Sequence, residues 1–262
     1  MADTSGATTS TVPQRLRVLS FNIQAGARTG RYHQYLTRSW QHVLPAGKRR
    51  QLLGIAELAR DFDLVGLQEA DAGSLRSGFL DQAAWLAELA EFPYFTHHAN
   101  RRVGRIASSG NSLLSRLPPA AAENHPLPGL KGRGVLLVRF GEGPDSFSVA
   151  IAHLALTAMG RRAQFDFLAE LLASRRRMVL MGDFNCTSTA PEFRQFLRQS
   201  GLLATNTAAV PTFPSWRPRR EIDHVLVSEG IRVLDCRILG PADSDHLPVA
   251  VELELPELAK RV

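Results

Sequence analysis

The sequence predicts an α/β protein in which two mixed β-sheets pack together and are flanked by helices. Two observations favour this fold class. At the start of the chain, strand-like and helical patterns alternate, which is typical of a β-α-β unit. In the middle, several strand-like runs follow one another directly, separated by Pro and Gly, which indicates antiparallel pairing. A purely parallel sheet would not combine the two patterns.

Length and composition indicate a single domain. The 262 residues are 44% hydrophobic and 21% charged, which is enough apolar material to bury a large core. The first residues are rich in Ser, Thr and Ala and have neither the basic nor the apolar region of a secretion signal. We therefore expect a disordered tail at 1–14 and one domain over 15–256.

The first third of the chain is predicted to form two strands and two helices. A β-favouring run predicts a strand over 16–23, and a long polar segment rich in Arg and His then occupies 24–44. Apolar residues at helical spacing predict a helix over 46–62, and a strand-like run follows at 63–68. A second helix is expected over 79–90.

Consecutive strands dominate the middle of the chain. They are expected at 94–98, 111–115, 134–140 and 147–154. An apolar stripe at helical spacing then follows, formed by Phe165, Leu168, Leu171 and Leu172, and Thr157 is a suitable N-cap. A helix is therefore predicted over 157–173.

The last third is predicted to contain a buried strand, a short helix and three further strands. These elements are expected at 178–182, 191–198, 222–227, 233–239 and 249–253, in that order.

The charge balance favours anionic partners. Lys and Arg number 31 against 25 Asp and Glu, a net charge of +6, and a basic surface attracts phosphorylated or otherwise anionic molecules. Solubility is an alternative explanation of the same charge.

Cysteine usage favours a cytoplasmic setting. Cys186 and Cys236 are too few for a disulfide framework and belong to no Cys/His cluster, so a reducing compartment is expected. No apolar run reaches the roughly 18 residues that a membrane span needs, so no transmembrane segment is expected.

Polar motifs follow five of the strand-like runs. They are Leu-Ser-Phe-Asn at 19–22, Val-Gly-Leu-Gln-Glu at 65–69, Ile-Ala-His-Leu at 151–154, Met-Gly-Asp-Phe-Asn at 181–185 and Ser-Asp-His at 244–246. Strand ends in α/β proteins deliver side chains to one rim of a sheet. Carboxylate, amide and imidazole groups gathered at one rim would form a site for a hard metal ion and a phosphate group.

The residues of two of these motifs are expected to have different chemical roles. Asp183 and Asn185 are two positions apart, so an extended backbone projects both to the same side. One could accept a proton from water while the other holds a phosphate oxygen. Asp223 is flanked by apolar residues, where an unpaired carboxylate would be costly to bury. His246 is its candidate partner, and such a pairing would raise the imidazole pKa.

The order of the motifs resembles the endonuclease/exonuclease/phosphatase superfamily. This superfamily includes deoxyribonuclease I, apurinic endonucleases, neutral sphingomyelinases, inositol-polyphosphate phosphatases and deadenylases. Gly-Asp-Phe-Asn at 182–185, Ile-Asp-His at 222–224 and Ser-Asp-His at 244–246 are weak signals singly, because each is compatible with an ordinary turn. Together they are highly specific, and the resemblance spans residues 16–253.

The resemblance implies a fold and a metal site. The fold would be a four-layer α/β/β/α sandwich of the deoxyribonuclease I type, and the activity a metal-dependent hydrolysis of phosphoester bonds. Glu69 would be the main metal ligand, with Asn22 and Asp245 as further ligands. Oxygen ligands of this kind suit Mg²⁺ or Mn²⁺ better than zinc.

The resemblance also implies a role for each of five further residues. Asp183 would orient or deprotonate the attacking water, and Asn185 and His153 would bind the scissile phosphate. His246, oriented by Asp223, would stabilise the charged transition state.

Two further residues are candidates for binding the substrate phosphate. Asn111 lies in the Gly-Asn-Ser-Leu-Leu-Ser-Arg segment at 110–116, and Arg133 lies in Lys-Gly-Arg-Gly at 131–134. An Asn that closes a turn and an Arg that is simply solvated are equally compatible with the sequence.

The sequence is compatible with two substrate classes. Basic segments at 24–44 and 217–220 are expected to flank the site and could hold a nucleic-acid backbone or an anionic headgroup. A nuclease acting on DNA or RNA, monomeric in solution, is the leading interpretation. The alternative is a phosphatase or phosphodiesterase for a phospholipid, a lipid anchor or a small phosphorylated metabolite. A third hypothesis, a non-catalytic binding module, has no use for a water-activating carboxylate.

This chain lacks two sequence features of the apurinic endonucleases. Apurinic endonucleases carry an acidic residue two positions after the first Asn and a Tyr-x-Pro-Asn segment. This chain has Gln24 at the first position and Ile-Ala-His-Leu at the second. The sequence therefore favours a histidine-bearing branch that contains both nucleases and phosphatases.

Overall fold

Two six-stranded sheets organise the chain. The computed structural model describes residues 14–24, 45–71, 73, 81–103, 107–129, 131–143, 146–240 and 244–256. In spatial order, the strands of the first sheet are β11 (Arg232–Ile238), β12 (Val249–Glu254), β1 (Arg15–Asn22), β2 (Leu64–Asp71), β4 (Ala107–Ser115) and β3 (Tyr94–Val103). Those of the second are β5 (Pro119–Pro126), β6 (Gly134–Phe140), β7 (Phe147–His153), β8 (Met178–Asp183), β10 (Asp223–Val227) and β9 (Leu203–Ala204).

Both sheets are mixed. β1 runs parallel to β2, and β7 runs parallel to β8. The other neighbouring strands pair antiparallel. The two parallel pairs lie in the interior of their sheets, where their carboxyl ends point the same way within each pair.

Four helices flank the sheets in the described residues. They are α1 (Pro45–Ala59), α2 (Gln82–Leu89), α3 (Ala158–Leu172) and α4 (Pro191–Ser200). Two of these helices have side-chain N-caps. The Asp81 carboxylate caps α2, and the Thr157 hydroxyl accepts a hydrogen bond from the Gly160 N–H at the start of α3. Helix α4 begins with a proline, and Gly201 caps its C-terminus with a left-handed φ of 68° that suits a glycine.

Three apolar clusters separate four layers. Successive strand residues face opposite sides, so Val18 contributes to the cluster between the sheets while Leu19 packs toward α1 and α2. In the second sheet, Leu136 faces the other sheet and Leu137 faces the cluster that contains Phe165 of α3. The layers are therefore helices, sheet, sheet and helices, as the fold prediction required.

A glycine allows β7 and β8 to approach closely beside the polar strand ends. Gly182 has a φ of 147°, and a Cβ at this position would lie 1.8 Å from the Ala152 carbonyl oxygen. No side chain fits at that distance. Gly182 therefore sets the course of β8 immediately before Asp183.

Most predicted elements are confirmed, and two strands were missed. β5 has the sequence Pro-Ala-Ala-Ala-Glu-Asn-His-Pro, which lacks β-branched and aromatic residues. It is an edge strand that exists because its backbone pairs with β6. The other missed strand, β9, has only two residues and pairs with β10.

Some predictions fall outside the described residues. The polar segment at 25–44 and residues 1–13 of the predicted tail are among them, so the domain bounds stay predictions. Within the described residues, no helix combines the length and apolar character needed to cross a membrane.

Replacing Gly182 with alanine tests the close approach of β7 and β8. We expect Gly182→Ala to lower the free energy of unfolding by more than about 3 kcal/mol, because its Cβ would collide with backbone. Gly201→Ala is the matched control, since Gly201 also has a positive φ but has no atom within 4 Å of the added Cβ. It should cost about 1–2 kcal/mol. Urea unfolding measures both, and equal losses would contradict the steric explanation.

Candidate active site

Strand register brings the predicted polar residues to one end of the sandwich. Asn22 ends β1 and pairs with Gln68 of β2. In the second sheet, Asp183 pairs with His153 across the parallel β7–β8 ladder and with Asp223 across the antiparallel β8–β10 ladder. The site therefore takes residues from both sheets.

Asp183 lies at the centre of this group. Its Oδ2 accepts a hydrogen bond from Asn22 Nδ2 at 3.1 Å and lies 3.3 Å from His153 Nε2. Its Oδ1 accepts from the backbone N–H of Asn185 at 2.9 Å, a turn for which Asn185 adopts a left-handed φ of 54°. His246 Nε2 lies 3.8 Å from Oδ2. The carboxylate is thus in contact with side chains from three separate segments.

The structure places His246 against Asp223. His246 Nδ1 lies 3.0 Å from Oδ1 and 2.9 Å from Oδ2 of Asp223, and both residues are buried. Thr212 Oγ1 donates to Asp223 Oδ2 at 2.5 Å. Hydrogen bonds from both partners hold the Asp223 carboxylate in place, and the bond from Nδ1 leaves His246 Nε2 directed toward Asp183.

Backbone and side-chain bonds fix the Ser-Asp-His segment. Ser244 Oγ donates to the Asn22 carbonyl at 2.7 Å, which ties this segment to the end of β1. Ser215 N donates to the Asp245 carbonyl at 2.7 Å. Gln24 Nε2 donates to Asp245 Oδ2 at 3.1 Å. These bonds set the direction of the Asp245 carboxylate.

A β-bulge presents Glu69. The pairing of β2 with β4 shifts register between Leu67 and Ala70, and Glu69 has a left-handed φ of 59°. The bulge turns its side chain, which is 30% exposed, toward His153, with Oε1 3.8 Å from Nδ1. A solvent-accessible carboxylate at this position can take up a ligand.

Burial has the largest effect on the pKa of Asp183 and of Asp245. It raises the pKa of Asp183 to about 7, with a further increase from the Asp223 charge and a partly opposing effect of His246. Burial also raises the pKa of Asp245 to about 6, and the nearby charge of Glu69 adds to this. The carboxylates are close enough to repel one another.

The two site histidines differ in charge. Burial disfavours the charged form of His246, but the carboxylates of Asp223, Asp183 and Asp245 outweigh it and raise its pKa to about 10. Burial, together with the positive charges of Arg133 and His246, holds the pKa of His153 well below its usual value. At neutral pH His246 is therefore a cation and His153 a neutral imidazole.

The donor set fits a divalent cation. Asp183, Asp223 and His246 place ligand atoms within 4.8 Å of one another. Both oxygens of Asp223 are engaged by His246 and Thr212. Metal binding by Glu69 and Asp245, whose carboxylates are the kind of oxygen ligand a hard cation prefers, stays a prediction. A divalent charge would offset the repulsion between these buried carboxylates.

Asn111 and Arg133 occupy different positions from the central group. Asn111 Nδ2 donates to the carbonyls of Gly134 and Ile151 at 2.8 and 2.9 Å, so its amide hydrogens join β4 to the opposite sheet. Its remaining oxygen is an acceptor, which a phosphate would repel. Arg133 lies close enough to His153 to lower its pKa. Phosphate binding by either residue stays a prediction.

The sequence patterns gave no role to Thr212 or to Gln24. Thr212 precedes Asp223 by eleven positions and meets it because the Phe213 backbone bridges to Arg220. The Phe213 ring also packs 4.9 Å from the His246 ring, centroid to centroid. The only signal was a Pro-flanked Thr-Phe pair between two motif-bearing segments, and such pairs are common in loops.

Comparison with known proteins identifies the family. A model of the Endonuclease/Exonuclease/phosphatase family matches residues 19–246. The chain belongs to this family. Family members hydrolyse phosphoester bonds and generally depend on a divalent metal, so the chain is a phosphoesterase of the superfamily. No curated protein matches the sequence.

Solved structures of this family share its fold. An endonuclease/exonuclease/phosphatase from Beutenbergia cavernae DSM 12333 is 23% identical, with a TM-score of 0.73 over 93% of this chain and 72% of that one. A mannosyl-6-phosphatase from Bacteroides thetaiotaomicron VPI-5482 is 19% identical, with a TM-score of 0.63 over 91% and 99%. Sphingomyelinase C from Streptomyces griseocarneus is 19% identical, with a TM-score of 0.61 over 92% and 99%. These likenesses confirm the sandwich fold.

Removing the Thr212 hydroxyl tests its positioning role. We expect Thr212→Val to lower kcat by about 10–100-fold with little change in KM, because Asp223 loses a hydrogen-bond donor and His246 loses its fixed orientation. Thr212→Ser keeps the hydroxyl and should restore most of kcat.

Thr205→Val is the matched control for that variant. Thr205 Oγ1 donates to the Val225 carbonyl at 2.9 Å in the same sheet and does not touch Asp223. It should lose about 1 kcal/mol of stability and keep its kcat. Equal kcat for both valine variants would show that Thr212 is only structural.

Proposed function

We propose that this protein is a Mg²⁺- or Mn²⁺-dependent phosphodiesterase that cleaves DNA or RNA. The arrangement of Asp183 carries the proposal. A buried carboxylate held by Asn22 and Asn185 lies beside a cationic His246 and a neutral His153. The carboxylate can accept a hydrogen bond from a water molecule, and the two histidines can donate hydrogen bonds to phosphate oxygens. This arrangement suits in-line attack of the water on a phosphorus atom.

Asp183 would position and deprotonate the attacking water. Its Oδ2 faces the space between His153 and His246. As the water oxygen bonds to phosphorus, its proton passes to Asp183, the bond from phosphorus to the leaving oxygen breaks, and solvent reprotonates that oxygen. The bonds from Asn22 and Asn185 N keep the carboxylate fixed during the transfer.

His246, His153 and Asn185 would stabilise the phosphate oxygens. His246 keeps a positive charge through its bond to Asp223, and it can donate from Nε2 to the developing negative charge. Neutral His153 has one ring N–H to donate. Asn185 Nδ2 donates one hydrogen to the Leu154 carbonyl and keeps a second for the substrate.

Glu69, Asn22 and Asp245 would hold the metal ion. When bound, the ion supplies Lewis-acid polarisation of a phosphate oxygen. Gln24 steadies this ligand set, because its N–H bonds Asn22 Oδ1 and its amide bonds Asp245 Oδ2. Hydrogen bonds from Gln24 therefore fix the direction of Asn22 and Asp245, and the β-bulge fixes that of Glu69.

Basic residues near the site support a polyanionic substrate. Arg217, Arg219 and Arg220 are exposed on the loop whose Ser215 bonds the Asp245 backbone. A nucleic-acid strand is a longer anion than a sugar phosphate or a lipid headgroup, and it could contact these arginines and the site at once. Because a mannosyl-6-phosphatase and a sphingomyelinase share this fold, those smaller phosphoesters are the alternative substrates.

A cytoplasmic, monomeric enzyme is part of this proposal. Cys186 and Cys236 are both free thiols in the structure, which suits a reducing compartment. Burial raises the pKa of the Cys186 thiol to about 12, so this thiol is poorly reactive.

Substrate cleavage by the purified protein tests the proposed activity. With Mg²⁺ we expect cleavage of labelled single- or double-stranded DNA or RNA, full loss on chelation, and a loss of at least about 10²-fold in Asp183→Ala. Asp166→Ala, an exposed α3 aspartate, should be fully active. A sugar phosphate and a phosphocholine diester are assayed in parallel as alternative substrates. Turnover of only these would replace the nuclease proposal with a small-phosphoester one.

Metal affinity can be measured without any substrate. We expect Glu69→Gln to weaken Mn²⁺ binding at least about tenfold, because one anionic oxygen ligand becomes a neutral amide. Electron paramagnetic resonance measures the bound Mn²⁺. Glu91→Gln, which removes an exposed carboxylate just after α2, should bind Mn²⁺ normally. Unchanged Mn²⁺ affinity in Glu69→Gln would remove Glu69 from the ligand set.

A further inference from the structure

A second polar cavity lies at the opposite end of the sandwich from the candidate active site. Its volume is about 260 Å³, and it is lined by Gly143, Ser146, Ser148, Ser174, Arg175, Arg176 and Arg177. Ser148 is near the start of β7, whereas His153 ends that strand in the active site. The separation along the strand is about 17 Å at the usual rise per residue. The cavity is therefore distinct from the catalytic centre.

Three consecutive arginines make the cavity cationic. They connect α3 to β8, and no acidic residue lines the cavity in the part of the chain described. Glu123 Oε1 lies 4.0 Å from Arg175 Nη2, and Glu123 is itself half exposed. An ion pair of that length and exposure is weak, so Glu123 offsets little of the Arg175 charge.

One donor in this wall has no partner. Arg175 Nε is buried and has no hydrogen-bond acceptor among the described residues. A buried N–H of a charged group without an acceptor costs about 1–3 kcal/mol. Because Nε itself is closed to solvent, an oxyanion in the cavity would contact the exposed part of the Arg175 side chain, which is 25% accessible.

Two hydrogen bonds to backbone carbonyls hold the cavity wall. Ser148 N donates to the Arg177 carbonyl at 2.9 Å, and Ser146 Oγ donates to the Gly143 carbonyl at 2.8 Å. The first bond ties the arginine segment to the start of β7, a buried strand. The arginines thus extend from a rigid sheet end.

We propose that this cavity binds a phosphate group, either free or carried by a nucleic-acid strand. Guanidinium groups present paired N–H donors that match phosphate oxygens, and serine hydroxyls add neutral donors. The site would retain anions independently of hydrolysis at the other end of the sandwich.

Anion binding by the metal-free protein tests this assignment. Calorimetric titrations with pyrophosphate and with a short single-stranded DNA, in chelator and at low salt, supply the two sources of phosphate. We expect at least one to bind, and Arg175→Gln/Arg176→Gln to weaken that binding by at least about tenfold. Arg194→Gln/Arg198→Gln is the matched control, since it removes two exposed arginines from α4 that do not line the cavity.

Further variants distinguish anion binding in this cavity from binding at the candidate active site. Binding should persist in His153→Ala, which alters only the active-site end. Arg176→Gln alone, at an exposed position, keeps the test valid if the double variant unfolds. Pyrophosphate binding indicates a free-anion site, and binding of DNA alone indicates a strand contact. No binding, or equal weakening by both double variants, would overturn the proposal whatever the enzyme hydrolyses.

Discussion

Burial of the Asp183 carboxylate at the junction of the two sheets is the constraint on which the site depends. The charge is removed from bulk water, and its stabilisation comes from Asn22 of the first sheet, the Asn185 backbone and the charge of His246. Each of these partners is in turn held by a further bond, such as that between His246 and Asp223. Loss of any one support changes the position or the charge of the central carboxylate.

The packing between the sheets therefore controls the chemistry. Asn22 and Glu69 belong to the first sheet, whereas His153, Asp183 and Asp223 belong to the second. The apolar cluster between the sheets and the Asn111 bridge set their relative position. A shift of either sheet would separate the proposed metal ligands from Asp183, the proposed water-activating group.

Sequence patterns predicted those elements whose own residues carry a strong signal. The buried runs of β1, β2, β7 and β8 are apolar and β-favouring, and the apolar stripe of α3 has helical spacing. β5 could not be predicted in this way, because its Ala-rich sequence has low β propensity and its pairing with β6 is a long-range event. Local patterns describe local preferences, and edge strands depend on their neighbours.

The sequence by itself determined the types of chemical group in the site and the strand ends that carry them. Asp, Asn, His and Glu follow apolar runs, and the period of each run predicts which of its side chains share a face. Tertiary structure decided which groups meet: Thr212 with Asp223, Gln24 with Asp245, and the arginines after α3 with the serines near the start of β7. Such contacts join residues distant along the chain, so they follow from sheet order and loop paths, which no local pattern encodes.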